Sequence, residues 1–196
     1  MSTIIPAAFS AQEALEKLKK GNERYLDAVC GLGDVSPQAR RDTCRHGQRP
    51  YAIIITCSDS RVIPESIFSA GLGDLFVIRV AGNVIDDHQL GSIEYAAEHL
   101  GCRLLLVLGH THCGAVDAAI NHDPEGYIKF ITDEIKTAIG EETDPFQACC
   151  LNVRHSIGLI ESSLSIHTME EEQNLKVIGA IYHIEDGHVD FMEGML

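Results

Sequence analysis

Three short apolar runs constrain the fold most: Tyr51–Thr56 (YAIIIT), Leu75–Val80 (LFVIRV) and Leu104–Leu108 (LLLVL). They are continuous rather than alternating and rich in β-branched residues and leucine. Such runs fit strands buried on both faces, as in a parallel sheet. Between the second and third lies DHQLGSIEYAAEHLG, where Leu90, Ile93, Ala97 and Leu100 keep helical spacing and Gly101 supplies a stop. Further helices are expected near 126–139 and 145–163. Ser10-Ala11-Gln12-Glu13 forms a capping box opening a helix with Leu15, Leu18, Tyr25 and Leu26 on one face. Residues 31–50 carry turn formers and charge and read as a loop with a short helix. A last strand, Lys176–Ile184, leads through the hairpin signal Asp186-Gly187 into Val189–Met192. Strands alternating with helices predict an α/β fold. Its core is a mostly parallel β-sheet flanked by helices, with an N-terminal helical arm over 1–47 and a C-terminal antiparallel edge strand. No repeat or linker divides the 196 residues, so one domain is expected, with 48–196 as its core.

Charge removes several function classes. The formal net charge of −14 argues against nucleic acid and against an anionic membrane surface, both of which need cationic patches. No run of about 18 apolar residues is present to cross a bilayer. The opening MSTIIPAAFSAQEALEKLKK lacks the basic start and long apolar stretch of a secretion signal. The seven cysteines, at 30, 44, 57, 102, 113, 149 and 150, are odd in number. Free thiols in a reducing, cytoplasmic setting are therefore expected instead of a disulfide framework.

In a parallel sheet, ligands gather at the carboxyl ends of the strands. Two segments fall there: TCSDSR (56–61) after the first strand and GHTHCGA (109–115) after the third. Cys57, His110 and Cys113 then offer two thiolates and an imidazole, the donor chemistry zinc prefers. Three protein ligands leave the fourth position open, which marks a catalytic site. His110 is chosen over His112 because it directly ends the strand, whereas His112 belongs to the turn entering the next helix. Cys30, Cys44, Cys102, Cys149 and Cys150 have no ligand-spaced neighbours and read as structural. Asp59 and Arg61 form a charged pair at the strand end, which is expensive to bury without a purpose.

At these residues the sequence resembles a β-class carbonic anhydrase. The similarity lies in CSDSR (57–61), GDLFVIR (73–79), AGN (81–83), SIEYA (92–96), GHTHCGAV (109–116) and GAIY (179–182) with Gly187 and Val189. It runs from about residue 10 to the C-terminus. The resemblance implies one Zn²⁺ per subunit on Cys57, His110 and Cys113. It also implies an Asp59 that either ligates the metal, closing the site, or swings out to pair with Arg61. Gln48, Phe76 and Tyr95 match substrate-pocket residues of the plant-type branch, and the chain has no tryptophan for the other branch's non-catalytic bicarbonate site. Val80, where the family usually has asparagine, and Ala81, where a larger apolar residue is frequent, depart from the pattern.

The implied reaction is reversible hydration of carbon dioxide to bicarbonate and a proton by zinc-bound hydroxide. Zinc lowers the pKa of a bound water from about 15.7 to about 7. Two thiolates blunt that effect, so an alkaline optimum is expected. Arg61 would hold Asp59 bidentately. Gly114, opening the next helix, would present backbone N–H groups to an anion. His99, one helical turn after Tyr95, would carry the proton away. Gln48 would come from the neighbouring subunit of a homodimer or homotetramer whose site lies at the subunit interface. Two rivals remain open from the sequence: a carbonyl sulfide or carbon disulfide hydrolase on the same scaffold, and a non-catalytic zinc-binding sensor domain.

Overall fold

A computed structural model describes residues 7–27 and 32–192; Cys30 lies outside them. Strands β1 (Ala52–Thr56), β2 (Leu75–Arg79), β3 (Leu104–His110), β4 (Lys176–Tyr182) and β5 (Val189–Phe191) form one sheet in the order β2-β1-β3-β4-β5. The first four are parallel and β5 is antiparallel to β4, as expected.

Side-chain alternation along the inner strands splits the core into two layers. Ile53, Ile55, Leu105, Val107, Val177 and Ile181 face one side. There they meet helices α4 (Asp87–His99), α5 (Gly114–Asn121), α6 (Ile128–Ile139), α7 (Pro145–Glu161) and α8 (Leu164–Gln173). Ala52, Ile54, Leu104, Leu106, Leu108 and Ala180 face the other side. That side is covered by α1 (Ala11–Leu26) through Ala14, Leu15 and Leu18, and by α3 (Pro64–Ile67) through Ile67. Each isoleucine or leucine removed from water here contributes about 1.5–3 kcal/mol. The α1 capping box forms as the sequence predicts, with Ser10 and Glu13 exchanging hydrogen bonds.

The structure corrects several details. β2 is a sheet edge, so Leu75 to Ile78 are only half-buried and Arg79 is exposed; continuous apolarity does not give it two covered faces. β3 runs on through Gly109 and His110, which pair with Ile181 and Tyr182. His110 thus belongs to the strand rather than following it. β4 ends at Tyr182, two residues short of the expected Ile184. The 31–50 segment holds a ten-residue helix, α2 (Pro37–His46), capped by Ser36 and buying no core of its own, since none of its residues is buried. Helix α8 was not expected; it buries only Ile166 and Met169, too sparse a stripe to stand out, and ends on left-handed Asn174.

Candidate metal centre

β1 and β3 are neighbours, with Thr56 opposite Leu108, and the Thr56 hydroxyl donates to the Leu108 carbonyl at 2.8 Å. Their carboxyl ends therefore open side by side. Cys57 leaves β1, His110 closes β3, and Cys113 precedes α5. One donor atom from each lies within 4.8 Å of the others, and all three residues are buried. They form the one such group among the described residues that can hold a metal ion.

The histidine is set for this role. Its Nδ1 lies 2.8 Å from the Thr111 carbonyl, so Nδ1 carries the proton and donates. That tautomer leaves Nε2 as a bare lone pair. Nε2 is buried and has no hydrogen-bond partner, a situation costing about 1–3 kcal/mol unless a ligand satisfies it. Cys57 Sγ accepts from the Gly82 N–H at 3.3 Å and the Asp59 N–H at 3.4 Å. Cys113 chiefly, helped by His110 and these two N–H groups, outweighs burial and holds the Cys57 thiol down at about 4. Cys113 is pushed the other way, by the Cys57 thiolate and by burial. Burial disfavours a charged His110, yet Cys57, the Thr111 carbonyl and Asp59 together raise its pKa. Negative charge concentrated on sulfur beside an imidazole lone pair fits a thiophilic divalent cation, and a Cys₂His donor set fits zinc.

Asp59 and Arg61 meet as a fork. Arg61 Nε donates to Asp59 Oδ1 at 2.9 Å and an Arg61 terminal nitrogen to Oδ2 at 2.7 Å. The Arg61 backbone N–H also reaches Oδ1 at 2.9 Å. The Arg61 side chain, then its backbone N–H, hold the Asp59 carboxyl well below the usual carboxylate range despite some burial. The same guanidinium donates to the His112 carbonyl at 3.1 Å, tying the two ligand-bearing loops together. His112 itself is exposed and pairs with Glu185 at 3.0 Å.

The chain shares its family with known enzymes. The sequence profile of the family described as carbonic anhydrase matches residues 52–189. Carbonic anhydrase 2 of Mycobacterium tuberculosis is 38% identical over 188 residues, covering 89% of each chain. The β-carbonic anhydrase of Aspergillus fumigatus superposes with a TM-score of 0.72 at 25% identity, over 80% of this chain and 86% of the other. A tetrameric β-carbonic anhydrase of Sordaria macrospora gives 0.71 at 25% identity, over 80% and 91%. The chain belongs to the carbonic anhydrase family, in its β class. Zinc is the metal that this family and this donor set share. Neither a sulfide-releasing hydrolase nor a zinc sensor finds support in these relatives.

Other residues singled out in the sequence lie elsewhere. Phe76 pairs with Ile53, four residues before Cys57, which at about 3.3 Å per residue is roughly 13 Å along the sheet. Tyr95 packs on Phe76 with ring centroids 6.2 Å apart, and His99 on Tyr95 at 5.4 Å. Gln48 lies beside Gly73 just ahead of the paired starts of β1 and β2, where the Tyr51 N–H meets the Asp74 carbonyl. Gln48, Phe76, Tyr95 and His99 therefore gather toward the amino ends of the strands, away from this chain's own Cys57, His110 and Cys113. Gly114 stands at the start of α5 beside the ligands, with open space where a side chain would be.

Sequence reasoning missed three supports of the site. Arg79 donates to the Cys57 carbonyl at 3.1 Å and the Asp59 carbonyl at 2.7 Å, bracing the turn between β1 and α3. A lone cation ending an otherwise apolar strand was the available signal. Cys149, read as structural, donates its thiol to the His110 carbonyl at 3.3 Å from α7. Asn152, one helical turn on, grips Gly82. Nothing in the local sequence marks either α7 residue. Cys102 donates to the Pro50 carbonyl within the core, whereas Cys44 is exposed and fills no core space.

Proposed function

We propose that this β-class carbonic anhydrase works through zinc held by Cys57, His110 and Cys113, with Asp59 and Arg61 as the polar machinery beside it. The observation that carries the reading is the buried, partnerless His110 Nε2 facing two cysteine sulfurs at ligand range. Zinc bound there supplies a Lewis acid that makes water ionise near neutral pH and so provides the nucleophile for carbon dioxide. The thiolates of Cys57 and Cys113 donate more charge than imidazoles would, which shifts activity toward alkaline pH.

Asp59, ionised and fixed by the Arg61 fork, accepts a hydrogen bond from the attacking group and orients its lone pair. With the fork open, the same carboxylate would be the residue to hold the metal in the closed form that the resemblance implies. Gly114 offers its backbone N–H at the positive end of α5 to the bicarbonate anion. Gln48, Phe76 and Tyr95 complete the pocket as in the plant-type branch, and His99 exports the proton. Because these four stand roughly a strand's length from their own chain's ligands, a pocket containing both sets needs a second copy of the chain. Other features agree with assembly. The edge strand β2 is half-buried, and α2 presents Arg40, Arg41, Arg45 and His46 without burying a residue, on a chain of net charge −14. We read 48–196 as the zinc-binding core, 1–47 as the arm, and a homodimer or homotetramer as the working unit. The free thiols fit a reducing compartment, the cytoplasm.

The test is stopped-flow hydration of carbon dioxide across pH, with zinc content measured on the same sample. Activity rising toward alkaline pH with one zinc per chain is the expected result. A fully zinc-loaded protein that hydrated no carbon dioxide up to about pH 9 would overturn the reading.

A further inference from the structure

Gly82 and Asn83 lie in the 3₁₀ turn Ala81–Asn83 and both adopt left-handed backbone, with φ of +67° and +47°. For asparagine that conformation costs about 1–2 kcal/mol, so something must hold the turn. The holder is α7, about 70 residues away in sequence. Asn152 Nδ2 donates to the Gly82 carbonyl at 2.7 Å. One turn further, Ser156 Oγ donates to the Asn83 carbonyl at 3.1 Å. Two successive carbonyls of the turn are thus gripped by one helix face.

In the turn so held, the Gly82 N–H points at Cys57 Sγ from 3.3 Å. Asn152 is only 1% exposed and its Oδ1 is buried without a partner. A leucine of similar shape would fill the same space without an orphaned acceptor, so packing alone does not explain an amide here. We propose that Asn152 is a positioning residue for the metal centre: by fixing Gly82 it aims a backbone N–H at the Cys57 sulfur and sets how much charge that sulfur donates to the metal. The inference rests on the reading of Cys57 as a zinc ligand. An N–H···S bond draws electron density from the thiolate, leaving the metal more electrophilic, and it fixes the sulfur's orientation.

The test compares the full-length wild type with Asn152→Leu and Asn152→Ala. Asn152→Leu keeps the shape and removes both the donor and the orphaned acceptor; Asn152→Ala serves if leucine does not fit. Ile160→Ala, two turns further along α7, is the control for loss of core packing. Two readouts are taken: zinc release to excess chelator, and the thiolate-to-metal charge-transfer band of the cobalt(II)-substituted protein. Zinc release about ten- to a hundredfold faster and a displaced cobalt band in both Asn152 variants, with neither change in Ile160→Ala, is the expected pattern. Folded Asn152 variants with wild-type release and an unmoved band overturn the proposal, as does the same shift in Ile160→Ala. A wild type that takes up neither metal would overturn the zinc reading beneath it.

Discussion

Replacing Gly82 with alanine measures how tightly the turn over Cys57 is packed. The added methyl would stand 2.7 Å from Ile135 Cδ1 and 3.1 Å from Ala115 Cβ. Carbon pairs rest at about 3.5–4.0 Å. Ile135 is fully buried on α6 and has no solvent to swing into. Relieving the overlap costs about 1–3 kcal/mol, the range of overpacked cores. The φ of +67° adds about 1–2 kcal/mol for any residue with a Cβ. The sum, about 2–5 kcal/mol, lowers Tm by roughly 4–20 °C in a chain of this length. Gly114→Ala is the reference, because nothing lies within 4 Å of its added methyl. Its Tm should stay within about 2 °C of wild type, as for an unobstructed surface change. Scanning calorimetry on zinc-loaded samples at one protein concentration gives the comparison, since assembly and metal both move Tm. A Gly82→Ala protein melting within about 2 °C of wild type would refute the packing argument.

Subunit mixing tests whether Gln48 acts across an interface. A Cys57→Ser chain and a Gln48→Ala chain, each impaired alone, should on co-refolding recover roughly a quarter of wild-type hydration activity, because half the dimers are mixed and one of their two sites is intact; no recovery means that Gln48 serves its own chain or no site. Asp59→Asn should lower hydration by about ten- to a hundredfold with zinc content unchanged. The Asp59 pKa is depressed by folding, so its stabilisation is fully present above the unfolded value near 4 and is lost as pH falls through the folded value. The Tm gap between wild type and Asp59→Asn should therefore be constant from about pH 8 to 5 and narrow only below about pH 4; a gap that closes near neutrality would contradict the Arg61 fork. Arg79→Met, which removes both donors to the Cys57 and Asp59 carbonyls, should speed zinc release to a chelator, and an unchanged rate would show that the turn holds itself.

The sequence by itself determined the sheet and the residues that could hold a metal. Continuous apolar runs read as strands, and the chemistry-bearing residues stand at or just past the ends of β1 and β3, so Cys57, His110 and Cys113 could be placed at one sheet end. The capping box at Ser10 and the Asp186-Gly187 turn were legible for the same reason: each is a local rule read within a few residues. Tertiary structure decided the rest. That β2 lies at the edge follows from strand order, which no strand's own composition encodes. The distance of Phe76 from Cys57 follows from parallel register, and Tyr95 and His99 share that distance by packing in turn on Phe76. The grips of Arg79 on the Cys57 turn, Cys149 on His110 and Asn152 on Gly82 span 20 to 70 residues of sequence. Contacts at that range exist only once the sheet and α7 have packed, which is why a sequence can name the atoms that could hold a metal but not those that keep them in place.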